Sequence, residues 1–295
     1  MEWISRRWLG PVVRLSSEVD LEKLRDFVAN RTFRHLWWNP DPDRIIRSVE
    51  HAESRGRSFE SRPRMVHQIW IGEKEFPTRL AAYSETIRKG FPNWDHKIWR
   101  EQDLAELAAN AVMSDPILDE SFPLGMRSDI IRLEVLRQYG GVYFDTDFEV
   151  IRDDVCRLYE DHQAFVYGDE LSGRPANGMM AAPVGHPFLE FYLRRIAATL
   201  RKPADIFETV KLTGPEKLAE SLNMWVGDWS SGEPFMIGGD TLGSFHAGGS
   251  ILSLWKEVAY PYHYTEGSWA TFDPSHFPKA RVAHHWEGGW HREAV

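Results

Sequence analysis

From Arg127 to Val150 the chain reads RSDIIRLEVLRQYGGVYFDTDFEV, and this stretch limits the possible fold more than any other. Ile130, Leu133 and Leu136 recur at intervals of three, as one buried helix face requires. Gly140-Gly141 then supplies the residue type that ends helices in the left-handed conformation. Val142, Tyr143 and Phe144 form a β-prone triplet, followed at once by Asp145-Thr146-Asp147. A buried helix feeding a short buried strand calls for a layered α/β architecture. The strand's end places both carboxylates at the rim of a sheet, where open α/β sheets bind ligands.

The flanking sequence extends the alternation. An apolar run at 64–72 reads as a strand, 77–89 as a helix opening at Pro77, and 91–100 as a turn with a short strand. Residues 101–112 read as a helix, 163–168 as a strand, 186–200 as a long amphipathic helix, and 280–286 as a late strand. The glycine- and tryptophan-rich last third reads as short strands and loops. These elements predict one α/β catalytic domain over 61–295, with a mixed central sheet flanked by helices. Residues 1–60 read separately, as a helical N-terminal accessory region: Leu21, Leu24, Phe27 and Val28 keep helical spacing before turn residues at 39–43 break the pattern, and a second short helix follows at 44–54.

Composition removes several classes of function. With 35 Lys and Arg against 44 Asp and Glu, the formal charge of -9 gives no general attraction for polyanions, so nucleic acid is not an expected partner. The single cysteine, Cys156, excludes an internal disulfide framework and a cysteine-rich zinc site, and it suits a reducing compartment. The first fifteen residues are too broken by charge and proline for a signal peptide, and no apolar run reaches the roughly 18 residues of a membrane span. The expectation is a cytoplasmic protein, free or peripheral to a membrane through the arginines and tryptophans at its start. Thirteen tryptophans are many for 295 residues. Flat indole faces suit carbohydrates and nucleosides, but they also serve as core mass.

Chemistry centres on the Asp145-Thr146-Asp147 triplet. Residues two apart in an extended backbone share a side, so both carboxylates can face one ligand. Carboxylate and phosphate oxygens suit Mg²⁺ or Mn²⁺, which points to a diphosphate-bearing substrate. The competing reading is a solvated strand end with Arg152 as ion-pair partner. Tyr143 alternates with the aspartates and should share their face. Asp129 and Arg132, three apart on the preceding helix, are either an intrahelical ion pair or groups that reach a phosphate and sugar hydroxyls. His284 and His285 point to opposite faces of a strand, so one of the pair faces the cleft. HExxH spacing, a nucleophile elbow and a P-loop are absent.

The segment Ser128–Val150, with its SD-x-x-R and L-x-x-x-G-G-x-Y-x-D-x-D patterns, resembles the core motif of the DXD-containing glycosyltransferases. These are grouped with the fungal initiating mannosyltransferases and the bacterial capsular sugar transferases, and more distantly with the glucosylating domains of large clostridial toxins. HQIWIG at 67–72 is similar to that family's first strand, and HHWEGGW at 284–290 to its C-terminal ending. The resemblance implies a GT-A type fold and a retaining reaction. It implies that Trp70 stacks on the nucleoside base, that Asp129 and Arg132 hold the donor sugar, and that Tyr143 and Asp145 position ribose and diphosphate. Asp147 would be the direct metal ligand and Asp145 would share the metal site. Trp290 would reach the phosphate or glycosidic oxygen, and His285 would sit near the metal or diphosphate. The family's ending commonly has Ser-Trp where this chain has Gly289-Trp290, so one side-chain oxygen must be replaced by Glu287, His285 or water.

The functional expectation is transfer of a hexose or N-acetylhexosamine from a UDP- or GDP-sugar, with Mn²⁺ or Mg²⁺, to a hydroxyl of a glycan, natural product or protein side chain. Two other classes compete. A metal-dependent sugar-nucleotide hydrolase would use the same aspartates, and a non-enzymatic carbohydrate-binding protein would bind glycan through tryptophan without nucleotide or metal.

Overall fold

The computed structural model describes residues 63–160, 162–170, 173–230, 232–263, 265 and 272–287. The proposed N-terminal accessory region, Gly289 and Trp290 lie outside the described residues.

The described chain opens with β1 (Met65–Ile69), α1 (Thr78–Gly90), β2 (Asp95–Trp99), α2 (Leu104–Ala109) and α3 (Asp115–Leu118). Then come α4 (Leu124–Tyr139), β3 (Gly141–Phe144), β4 (Phe148–Val150), β5 (Phe165–Asp169) and β6 (Pro175–Ala182). The remainder is α5 (Pro187–Ala197), α6 (Ile206–Leu212), α7 (Pro215–Val226), β7 (Glu233–Ile237), β8 (Asp240–His246), β9 (Ile251–Leu254), α8 (Lys256–Ala259) and β10 (Val282–His284). Eight strands form one mixed sheet in the order β2-β1-β3-β6-β5-β9-β8-β7, and β10 pairs with β4 in a separate ribbon. This is the expected mixed central sheet flanked by helices, a GT-A-like α/β fold.

The sheet separates two cores, and the side-chain alternation of β3 explains why. Tyr143 joins the core with Trp99, Ile130, Leu133, Phe188 and Trp225. Its neighbours Val142 and Phe144 join the opposite core with Ile87, Phe91, Phe148 and Tyr260. Successive strand residues point to opposite faces, so a strand covered on both sides must be apolar throughout.

Helix α4 is buried almost all round, including its charged residues. Each is satisfied: Arg127 donates to both Glu101 carboxylate oxygens at 3.0 and 2.8 Å, and Arg137 Nε donates to Glu134 Oε2 at 2.8 Å. Burial of charge on this scale is tolerable only when paired and hydrogen-bonded. Gly140 (φ 61°) ends the helix, and a side chain on Gly141 (φ 96°) would collide with the Met65 carbonyl as β3 enters beside β1. The glycine pair therefore turns the chain and lets two backbones touch.

The strand β6 is absent from the sequence-based reading although it pairs with both β3 and β5. Its sequence, PANGMMAA, lacks β-branched residues. Burial, not intrinsic preference, holds it extended.

Candidate functional site

Strands β1 and β3 are parallel neighbours, so Trp70, which follows β1, and Asp145, which follows β3, emerge at the same edge of the sheet. The Asp145 backbone is held at both ends: its N–H donates to the Gly178 carbonyl at 2.7 Å, and its carbonyl accepts from Gln68 Nε2 at 3.4 Å. Tyr143 donates its hydroxyl to Asp145 Oδ1 at 2.5 Å.

Behind this carboxylate lies Arg132, 6% exposed. Its Nη1 is 3.3 Å from Asp145 Oδ1 and donates to the Asn177 carbonyl at 2.6 Å, while Nη2 is 3.2 Å from Asp129 Oδ1. Its guanidinium carbon lies over the Tyr143 ring, 4.8 Å from the centroid. Asp129 also accepts from Asn177 Nδ2 and Thr213 Oγ1, both at 2.8 Å. Asp129 and Arg132 are therefore both an intrahelical pair and part of a buried network that reaches the aspartate triplet.

Asp147 is bound by the returning chain. His284 Nε2 lies 3.0 Å from its Oδ1, the Glu287 N–H donates to Oδ2 at 2.9 Å, and the His285 N–H donates to its carbonyl at 2.9 Å. The β4–β10 ribbon fixes this arrangement by pairing Phe148 with His284, whose rings stack at 4.7 Å. One carboxylate oxygen each from Asp145 and Asp147 and one ring nitrogen of His284 lie within 4.8 Å of one another.

The electrostatics separate the two aspartates. Burial pushes the Asp145 carboxyl above its ordinary range, with Arg132 opposing and the Asp147 charge adding to the rise. Burial acts on Asp147 in the same direction, but the charge and hydrogen bond of His284 and the Glu287 N–H outweigh it and hold that carboxyl low. Burial works against protonation of His284, yet its partners Asp147 and Asp145 raise its affinity for a proton. Two carboxylates and an imidazole converging on one point form a donor set that fits a divalent cation. Among the described residues, His284 Nδ1 has no partner, and a Cβ on Gly178 would stand 2.8 Å from Asp145 Oδ2, so the glycine keeps space open beside the carboxylate.

The histidine beside the aspartates is His284, not His285. His285 turns the other way, with Nε2 2.8 Å from Glu149 Oε2, Nδ1 3.1 Å from the Tyr262 hydroxyl, and its ring stacked on Tyr83 at 4.4 Å. The alternation rule anticipates one histidine facing the cleft; only the β4–β10 register decides which. Nor does the Glu287 side chain reach the aspartates: it pairs with Arg79 at 2.5 Å, and only its backbone serves Asp147. Trp70 is partly buried, with Nε1 donating to the Lys74 carbonyl at 2.9 Å and its ring edge-on to Phe76.

The sequence gives no sign of Asn177 or Thr213, which become site residues only through long-range packing. Asp169, at the end of β5, is a further surprise: burial pushes its carboxyl up to about 7. A raised carboxyl favours the folded state most below the unfolded value near 4 and weakens it progressively as pH rises towards 7. Asp169→Asn should therefore leave thermal stability near pH 4 almost unaltered and increase it at pH 8, by at most about 4 kcal/mol before solvent screening reduces the gain. Melting curves at the two pH values test this, and an equal shift at both would refute the assignment.

Comparison with known proteins agrees with the geometry. Residues 77–161, which carry α4, β3 and the aspartate triplet, match the family model described as "Glycosyltransferase sugar-binding region containing DXD motif". The chain is thus similar, over its aspartate-bearing segment, to DXD-motif glycosyltransferases, among them fungal mannosyltransferases. It is 27% identical over 135 residues to inositol phosphoceramide mannosyltransferase 3 of Schizosaccharomyces pombe, covering 45% of this chain and 37% of that protein. It is 26% identical over 149 residues to inositol phosphoceramide mannosyltransferase 1 of the same yeast, covering 49% and 46%. The chain thus spans less than half the length of these curated relatives. Among solved structures, the PaToxG glycosyltransferase aligns with a TM-score of 0.44 and 17% identity over 65% of this chain and 83% of its own. No helix among the described residues is long and apolar enough to cross a membrane.

Proposed function

We propose that this protein is a metal-dependent, retaining glycosyltransferase that moves a hexose or N-acetylhexosamine from a UDP- or GDP-sugar to a hydroxyl acceptor. The observation that carries the reading is the convergence of Asp145, Asp147 and His284 at one point of the sheet rim. Arg132 lies directly behind it. A Mn²⁺ or Mg²⁺ ion held there would neutralise the donor diphosphate and the charge that builds on it as it leaves. The names of the yeast relatives make a mannosyl donor the first to try.

In this reading Asp147 is the firmer ligand, because its carboxyl stays ionised, and Asp145 shares its charge between the site and Arg132. Arg132, whose charge is fixed by Asp145, Tyr143 and Asp129, is placed to stabilise the departing phosphate. Asp129 and Tyr143 orient it, Trp70 offers an indole face to the base, and Trp290, outside the described residues, is assigned by the family resemblance to the phosphate or glycosidic oxygen. The acceptor oxygen bonds to the anomeric carbon as the bond from that carbon to the phosphate oxygen breaks. The electron pair leaves with the nucleoside diphosphate, which takes the acceptor's proton on the same face. We assign catalysis to residues 61–295, with 1–60 as an accessory region, and place the protein in the cytoplasm, which its single cysteine suits.

Titration calorimetry with UDP- and GDP-sugars, with and without Mn²⁺, tests the reading. Donor binding should appear or tighten at least tenfold with the metal, and product NMR should show an unchanged anomeric configuration. Glycan binding that ignores both nucleotide and metal would instead identify a carbohydrate-binding protein. Release of free sugar with no coupled product would identify a hydrolase.

A further inference from the structure

A cavity of about 470 Å³ opens between the segment Glu120–Gly125 and the segment Pro203–Thr209. Its size falls in the range of small-molecule sites. Both walls lead to Asp129. Gly125 lies in the first turn of α4, four residues before Asp129. Thr209 lies on α6, four residues before Thr213, whose hydroxyl donates to Asp129 Oδ2 at 2.8 Å and also contacts the Thr209 carbonyl. Four helical residues rise about 6 Å, close to the width of one sugar ring. The first turn of α4 also lies beside the turn that follows Trp70, since a Cβ on Gly72 would stand 3.5 Å from Leu124 Cδ1.

The lining is amphipathic. Phe122, Pro203 and Ile206 offer apolar surface, and Glu120 and Asp205, both exposed, bring carboxylates to the lining. Asp205 Oδ1 is partly engaged, accepting from the Glu208 N–H at 2.8 Å. The nearby cations are Lys202, 6.0 Å from the Phe122 ring centroid, and Arg201, paired with Glu208. Carboxylates accept hydrogen bonds from hydroxyls, and an aromatic face accepts the apolar side of a sugar ring. The same carboxylates repel a diphosphate, so the donor nucleotide is a poor occupant.

We propose that this cleft is the acceptor subsite, and that it takes an uncharged, hydroxyl-rich ring, a hexose or a cyclic polyol, whose attacking hydroxyl reaches the anomeric carbon beside Asp129. The inference rests on the glycosyltransferase reading above. The test uses the full chain with a donor that binds in the presence of Mn²⁺ and a panel of methyl hexosides and myo-inositol as acceptors. Ala204→Trp should fill the cleft, and Glu120→Ala should remove a carboxylate from an exposed position where folding is not at stake. Both should raise the acceptor KM at least tenfold and lower the ratio of transferred to hydrolysed sugar, with donor affinity read separately by calorimetry. An unchanged acceptor KM in both variants overturns the subsite alone. Donor hydrolysis by the unmodified chain with transfer to no member of the panel overturns the ligand class. Failure to turn over any sugar nucleotide defeats the glycosyltransferase reading itself, a different signature from either.

Discussion

Asp147→Asn should reduce sugar transfer by at least about 10²-fold and abolish the metal response of donor binding, while the protein still folds. The loss exceeds that of an ordinary contact because two functions depend on one carboxylate. It supplies the low-pKa oxygen of the Asp145–Asp147–His284 cluster and receives both His284 and the Glu287 N–H. Asparagine keeps one oxygen and the shape but loses the charge that a hard divalent cation requires. Removal of one preorganised electrostatic contact typically costs 10²–10³ in kcat. Transfer rates with saturating Mn²⁺, set beside calorimetric donor binding, decide the matter: wild-type metal dependence in the variant would exclude Asp147 as a ligand. Binding should also depend on pH, because a metal-ligating imidazole must be neutral while Asp147 favours the protonated His284. Affinity should therefore rise with pH until the imidazole has released its proton.

Arg132→Met should be the most damaging substitution for stability, costing about 3–5 kcal/mol. The guanidinium is buried, and it faces Asp129, Asp145 and the Asn177 carbonyl at the same time. Methionine fills much of the volume but leaves two carboxylates without their cation in a region where burial already raises both pKa values. Paired replacement should be milder: Arg132→Met combined with Asp129→Asn removes one of the stranded charges, and the two effects should be strongly non-additive because the groups touch. Urea unfolding of the single and double variants provides the comparison. A loss under about 1 kcal/mol for Arg132→Met would show that the network contributes little to the fold.

Local pattern and long-range packing divided what could be read in advance. The helix, glycine pair, strand and acidic triplet from Arg127 to Asp147 were legible because each is encoded within a few residues of itself, although the helix begins three residues earlier, at Leu124. Tyr143 was placed correctly beside Asp145 by period-two alternation alone. The partners that complete the site were not: Asn177 belongs to a strand with no β-forming residue types, and Thr213 arrives from α6, a helix too short to declare itself. The histidines mark the boundary between the two cases. Alternation requires one of them to face the cleft, but the choice of His284 depends on its register against Phe148, 136 residues earlier by position in the chain. Proline-initiated α7 lies in the last third, whose aromatic and glycine content points to short strands and loops, so the helix emerges only in the structure.

The β4–β10 ribbon has a consequence for biosynthesis. All eight strands of the central sheet exist in a nascent chain by residue 254, but His284 and the Glu287 N–H do not, and Asp147 has neither of the groups that hold it. Loop closure over this separation is slow relative to local helix formation. A ribosome-bound chain halted before residue 284 should thus contain most of the central sheet while lacking affinity for the cation, and competence should arrive only once residues 284–287 have been made.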